Sequence, residues 1–370
     1  MNNQKPQRTH IFSRRTFLKL LGIITAGTAI NTASHSMIAR MQSQTLRKSA
    51  SRILRPSGQL FKIGVYLEDS DVQDPTGLPE KIATQEFNHR VINQLSLIAY
   101  EAPGRWSFSG SDSLVTKARA ANQSMVGGLI WGSERSIPDW IKNGSFTRDQ
   151  LLTIMQDHIE AVMTKYKGVI GSYIVVNEAF RDYGTTDWLY QRLGRDYVRI
   201  AFKHARAIDS KAVLIYNHYE NHTKDGVNYQ ITKEDINELK NLGIVDAVGT
   251  QLHLYKTRPK KADVIDAMRS YGIPVWVTEF DTFQIPGNAN PEQEQASITR
   301  DMLEAAMESG VCDSFTVWGL NDSHSFFGPE NKTCLFNLDN KPKLNYYAAS
   351  SILARYVTLT NNVFLPLVMR

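Results

Sequence analysis

Cysteine is nearly absent: the 370 residues hold only Cys312 and Cys334. Two thiols are too few for a disulfide scaffold, and a single bridge or a pair of buried thiols both stay open. Also missing between residues 60 and 356 is any Gly/Ser-rich or Pro-rich stretch, long block of like charge or low-complexity segment. Nothing therefore divides that length into two domains. The apolar run Leu20 to Ile30 is too short, and too rich in Gly, Ala and Thr, to serve as a membrane span. Acidic residues are lacking from residues 1–36, which nevertheless carry Lys5, Arg8, Arg14, Arg15 and Lys19. Removing these five from the 42 Lys and Arg leaves 37, equal to the 37 Asp and Glu, so the formal charge of +5 belongs to this segment. A neutral body removes the main support for a nucleic-acid partner, and none is expected.

That basic segment has a specific form. Ser13-Arg14-Arg15-Thr16-Phe17-Leu18-Lys19, followed by the apolar run, resembles the twin-arginine export signal S-R-R-x-F-L-K. The resemblance implies a signal peptide over residues 1–36, the twin-arginine machinery as a partner, and a destination in the cell envelope or medium. No clean A-x-A site fixes the cleavage point, expected near Ala29 to Ser36, and no Cys follows the run to carry a lipid. Residues 37–59 are polar and basic without sustained period and read as a flexible entry segment.

From Phe61 onward, short apolar runs alternate with amphipathic stretches. The strand-like runs are Phe61 to Leu67, Val91 to Ala99, Ser124 to Trp131, Gly171 to Asn177, Ala212 to Asn217, Ala247 to Leu252, Ile273 to Glu279 and Ser314 to Trp318. Between them, helical periodicity is expected over Asp112 to Ala121, Thr147 to Tyr166, Leu189 to Ile208, Thr232 to Leu242, Ala262 to Tyr271 and Pro291 to Ser309, with a last helix at Asn345 to Tyr356. Thr147 and Thr232 read as N-caps and Pro291 as a first-turn proline. Eight strands alternating with helices predict an α/β fold, one (β/α)8 TIM barrel over residues 60–356, with residues 357–370 as a C-terminal tail. In such a barrel the chemistry sits at the carboxyl ends of the strands.

Two of those ends carry a carboxylate. The fourth run, IVVNEAF from Ile174 to Phe180, breaks off at Asn177 and Glu178, and the seventh, IPVWVTEF from Ile273 to Phe280, reaches Glu279. Glutamate is rarely kept inside an apolar strand unless it is paired or used. Two carboxylates facing each other across a groove can split a glycosidic bond, one protonating the leaving oxygen and the other stabilising or attacking the anomeric carbon. At about 5 to 5.5 Å separation the second is a nucleophile and configuration is retained. Such a pair needs neighbours that push the two pKa values apart.

VVNEA at the fourth run, QLHL at Gln251 to Leu254, VTEFD at Val277 to Asp281, VWGLNDSHSF at Val317 to Phe326 and LFNLDNKPKLNYYA at Leu335 to Ala348 together resemble glycoside hydrolase family 10, the endo-β-1,4-xylanase family, in the family's order. The resemblance implies a retaining hydrolase of β-1,4-linked polysaccharide, xylan first, needing neither metal nor other cofactor and working as a monomer. Carried over by position, Glu178 is the acid/base, Glu279 the nucleophile, and Asn177 the partner of the sugar's 2-hydroxyl. His253 donates to Glu279 and is oriented by Asp281, Gln251 lies near the same sugar, and Trp131 and Trp318 floor or wall the groove. Asn93 and Tyr219 keep family positions in otherwise altered motifs and are expected to line the substrate.

The alterations are concentrated. An R-G-H-x-L-x-W-H-like stretch appears as Met125-Val126-Gly127-Gly128-Leu129-Ile130-Trp131-Gly132, with glycine at both histidine positions. An E-N-x-M-K-W pattern appears as Ile92-Asn93-Gln94-Leu95-Ser96-Leu97, without its Glu and Lys, and an N-D-Y-N-like element as Asn217-His218-Tyr219-Glu220. A glycosidase of different glycan specificity on the same barrel, or a non-catalytic glycan-binding protein, remain the competing functions. His218 and His222, four apart around Glu220, would need a helix and a third ligand to hold a metal, and this segment reads as a strand-end loop.

Overall fold

The computed structural model describes residues 54–55, 61–180, 187–254, 258–284 and 287–363. The segment expected to be a twin-arginine leader, nearly all of the entry segment and the apolar residues 364–368 lie outside them. Eight strands form the sheet's closed circuit: β1 (Lys62–Tyr66), β2 (His89–Ile92), β3 (Ser124–Trp131), β4 (Ser172–Asn177), β5 (Val213–His218), β6 (Ala247–Thr250), β7 (Val275–Thr282) and β8 (Cys312–Trp318). Each pairs in parallel with the next, and β8 pairs with both β7 and β1, which closes a (β/α)8 barrel.

Strands covered on both faces must be apolar throughout, and β4 shows why the pattern was readable: Tyr173, Ile174, Val175 and Val176 are all buried. Alternate residues serve different layers. Val91, Val126, Ile174, Ile215, Ala247 and Trp276, one from each of β2 to β7, pack together as one cluster. The much larger second cluster joins the strands to the surrounding helices. Thr147 caps the helix Arg148–Lys165 through a capping box in which its hydroxyl accepts from Gln150 N at 3.3 Å and Gln150 Oε1 accepts from Thr147 N at 2.8 Å. Pro291 opens the helix Pro291–Ser309.

Four sequence expectations change. The second strand stops at Ile92 rather than Ala99, because the chain turns through two short 3-10 segments, Asn93–Leu95 and Leu97–Ala99, before the small hairpin Tyr100–Ala102/Arg105–Trp106. Thr232 is no cap: the helix Tyr229–Asn241 starts three residues earlier, and the Thr232 hydroxyl donates back to the Asn228 carbonyl at 2.8 Å. The stretch Leu189 to Ile208 is two helices, Trp188–Leu193 and Tyr197–Ile208, parted at Gly194, whose φ of 74° only glycine adopts readily. The final helix, Leu344–Val363, runs past the boundary expected at residues 356/357.

Candidate active site

The carboxyl ends of the strands surround a cleft of about 900 Å³. Glu178 follows β4 directly and has a left-handed backbone, φ 54°, as does Phe180 at 59°. Non-glycine residues in that region store about 1 to 3 kcal/mol of strain each and need surroundings that hold them there. Here the Glu178 amide donates to the Asn217 carbonyl at 2.9 Å, and His218 Nε2 lies 3.0 Å from the Ala179 carbonyl. Glu279 sits inside β7, where the pairing with β8 slips between Val277 and Phe280, and its amide donates to the Gln251 carbonyl at 3.1 Å. Both glutamates are largely buried and both line the cleft.

Their side chains belong to one hydrogen-bonded set. Glu178 accepts from the Trp131 indole at 2.9 Å through Oε2 and from Gln251 Nε2 at 2.8 Å through Oε1. Gln251 Nε2 also reaches Asn177 Oδ1 at 3.2 Å. Asn217 Nδ2 donates to that same Asn177 oxygen and to Glu279 Oε1, each at 2.8 Å, while its Oδ1 accepts from the Thr278 hydroxyl at 2.7 Å. On the far side of Glu279, His253 Nε2 stands 3.3 Å from Oε2, and His253 Nδ1 is 3.0 Å from Asp281 Oδ1. This last geometry comes from the backbone, since the short strand His253–Leu254 pairs with the end of β7 so that His253 is the partner of Asp281.

Burial alone would lower the His253 pKa, but the charge and hydrogen bonding of Asp281, then of Glu279, push it up to about 10. An imidazolium therefore stands against Glu279 at neutral pH. Glu178, by contrast, faces the neutral donors of Trp131 and Gln251. The two carboxylates thus have unlike neighbours.

The remaining expected residues lie on the walls. Trp318 is stacked on Tyr66, ring centroids 4.2 Å apart at 16°, and one face of Trp131 is covered by the Arg135 guanidinium at 4.4 Å. Neither tryptophan is open on both faces. Asn93 and Tyr219 also line the cleft. The Tyr66 hydroxyl donates to Glu68 Oε2 at 3.1 Å and also engages the Asn93 side chain. Among the described residues there is no cluster of three metal-ligand side chains.

Sequence reasoning did not single out Asn217, Tyr66 or Glu68 as site residues. Asn217 carried a signal in the partly kept N-D-Y-N-like element. Tyr66 and Glu68 carried none: Tyr66 stacks on Trp318 of the last strand, and Glu68 enters through its bond to Tyr66.

The family profile described as glycosyl hydrolase family 10 matches residues 54–352. The chain belongs to that family. Endo-1,4-beta-xylanase C of Phanerodontia chrysosporium is 32% identical over 260 residues, covering 66% of this chain and 64% of the xylanase. Against a second xylanase C, from Paenibacillus barcinonensis, identity is 27% over 363 residues, and only 32% of that longer protein is covered. The chain thus spans less than two thirds of the length of these relatives. Among solved structures, xylanase 10B of Thermotoga maritima superposes with a TM-score of 0.75 at 25% identity, covering 81% of this chain and 97% of that one. Xylanase 10B of Thermotoga petrophila RKU-1, in complex with xylobiose, gives 0.74 at 26%, covering 81% and 95%.

At the two glycines that stand where the family resemblance expects histidines, neighbouring side chains come close. A Cβ on Gly127 would lie 3.1 Å from both Leu95 Cδ1 and Tyr173 Cδ1, and one on Gly132 only 2.1 Å from Asp187 Oδ1. At the strand-two positions Ile92 is fully buried and Ser96 lines the cleft.

Proposed function

We propose that this chain is a retaining hydrolase of β-1,4-linked polysaccharide, xylan in the first instance, with Glu178 as acid/base and Glu279 as nucleophile. The observation that carries the reading is the continuous set from Asp281 through His253, Glu279, Asn217, Asn177 and Gln251 to Glu178. A glycan-binding protein without catalysis has no use for an imidazolium held on one carboxylate and neutral donors on the other. In the first step Glu279, held between His253 and Asn217, attacks the anomeric carbon while Glu178 gives its proton to the leaving oxygen. In the second, Glu178 takes a proton from water, which displaces Glu279. Asn177, fixed by the Asn217 and Gln251 amides, is placed to meet the 2-hydroxyl of the reacting sugar.

The test is turnover of xylans, mixed-linkage glucans and aryl β-glycosides by the mature protein, with product anomers followed by NMR. Early appearance of β-anomers on xylan is the expected result. Early α-anomers would mean inversion, and no turnover of any substrate would leave a binding protein. A second specificity has one observation in its favour. At Ser96 and Gly128 the cleft wall lacks the polar grip that the family resemblance places there, so a winning glucan or aryl glycoside would assign a different β-glycan. Export by the twin-arginine route is supported by Arg14, Arg15 and the Phe17-Leu18-Lys19 context, and replacing both arginines by lysine is expected to retain the precursor in the cytoplasm.

A further inference from the structure

The Asp187 carboxylate occupies the space that a side chain at position 132 would take, and it is completely buried. Among the described residues, its hydrogen-bond partners are donors. Oδ2 accepts from the Phe180 amide at 2.9 Å and the Tyr197 hydroxyl at 3.0 Å, and Oδ1 accepts from the Tyr190 amide at 2.8 Å. Asp187 also forms an antiparallel bridge with Ser133, and the next residue, Trp188, donates its amide to the Gly132 carbonyl at 2.8 Å. A closed circuit follows. Glu178 leads through Ala179 to Phe180, Phe180 is bonded to Asp187, Asp187 leads to Trp188, Trp188 is bonded to Gly132, and the adjoining Trp131 returns its indole N–H to Glu178.

We propose that Asp187 is a positioning residue for the acid/base: it holds the left-handed Glu178–Phe180 turn and, with Gly132, replaces a strand-three histidine by a carboxylate brought in from the β4 loop. The inference rests on Glu178 being the acid. A plain helix-cap role for Asp187, at the start of Trp188–Leu193, would touch stability alone. Positioning Glu178 makes a different demand. Misplacement by about 1 Å is felt on the order of 10²-fold in a proton transfer, and only substrates whose leaving group needs that proton feel it in the first step.

The experiment compares kcat/KM on unsubstituted xylohexaose with kcat/KM on a dinitrophenyl β-xylobioside, whose leaving group departs unprotonated, in folded enzymes verified by melting. For Asp187→Ala the first value is expected to fall by about tenfold or more and the second by about threefold at most, with azide accelerating turnover of the aryl substrate. Glu178→Ala should show the same split in larger form. Should Asp187→Ala fail to fold, Gly132→Ala, whose methyl meets Asp187 Oδ1, carries the same expectation. Where Asp187→Ala does fold, adding Gly132→Ala to it should cost nothing more. A split in Glu178→Ala alongside equal losses on both substrates in Asp187→Ala and Gly132→Ala, or alongside no loss in either, overturns the positioning role alone. A Glu178→Ala enzyme without the split overturns the acid assignment and, with it, this inference.

Discussion

Asn217 Nδ2 lies 2.8 Å from Glu279 Oε1, and the direction of that amide is fixed because the Thr278 hydroxyl donates to its other end at 2.7 Å. Glu279 is therefore held by a neutral donor on one oxygen and by His253 on the other. Asn217→Asp would put a like charge where the donor was, which disfavours the ionised form of Glu279. The acid limb of kcat/KM on an aryl glycoside is expected to move to higher pH, with kcat down by about 10- to 100-fold, comparable to removing a preorganised donor. A pH profile that keeps its acid limb in place would show that Asn217 does not govern Glu279.

The two glutamates should fail differently when removed. Glu279→Ala is expected to abolish turnover of every substrate, since no covalent intermediate forms. Glu178→Ala should still form the intermediate from a dinitrophenyl glycoside and then stall, and added azide should restore turnover as the β-glycosyl azide. Azide rescue of Glu279→Ala with an α-azide product, and an inert Glu178→Ala, would exchange the roles.

The barrel was legible because strands covered on both faces leave unbroken apolar runs, and Glu178 and Glu279 were legible because a carboxylate in such a run is conspicuous. Val91 to Ala99 misled for a related reason. Leu95, Leu97 and Ala99 are buried at strand-like alternation, but short 3-10 turns bury them above the rim. Thr232 is a good capping residue whose hydroxyl the helix interior satisfied through the Asn228 carbonyl. Other parts of the site had no local signature at all. The Tyr66 stack on Trp318 joins the first strand to the last, and Asp187 fills a space left by Gly132 just past the end of β3. Such contacts exist only once the circuit of strands is closed.

Four histidines, three of them buried and His253 nearly so, shape stability against pH. Burial holds His89 at about 3, aided by Lys62, and His158 and His222 at about 4, all below the ordinary 6.5. Below pH 6.5 the unfolded chain takes up protons that these native side chains refuse, so stability falls with pH toward that range. His253 has the opposite sign. Its raised value of about 10 contributes stability that is complete below 6.5 and is lost as pH rises through 10. Each group adds a slope of up to about 1.4 kcal/mol per pH unit in its window, and together they place a maximum near pH 6.5. Denaturant titrations from pH 3 to 10 measure this, and His253→Gln should flatten the alkaline side. An alkaline side equally steep in His253→Gln would mean that His253 carries no extra proton in the fold.

Gly249 tests whether the amide network or the glutamates alone set the rate. It is the register partner of Asn217 across the β5–β6 pair, and a Cβ there would lie 2.2 Å from Asn217 Oδ1 and 2.9 Å from its Cγ. Asn217 has nowhere to retreat, being tied by Nδ2 to Asn177 and Glu279 and by Oδ1 to Thr278. The added methyl of Gly249→Ala must therefore turn the amide out of one of these bonds. Overpacking of this kind costs about 1 to 3 kcal/mol, which for a domain of this size lowers Tm by several degrees, at roughly 2 to 4 °C per kcal/mol. Because the displaced group is the donor on Glu279, the proposed nucleophile, kcat should fall by about tenfold or more while KM changes little. Combining Gly249→Ala with Asn217→Ala should cost less than the sum of the single changes, since the methyl then has room. A Gly249→Ala enzyme that melts early but keeps its full kcat would show that Asn217 serves packing and that the glutamates work without it.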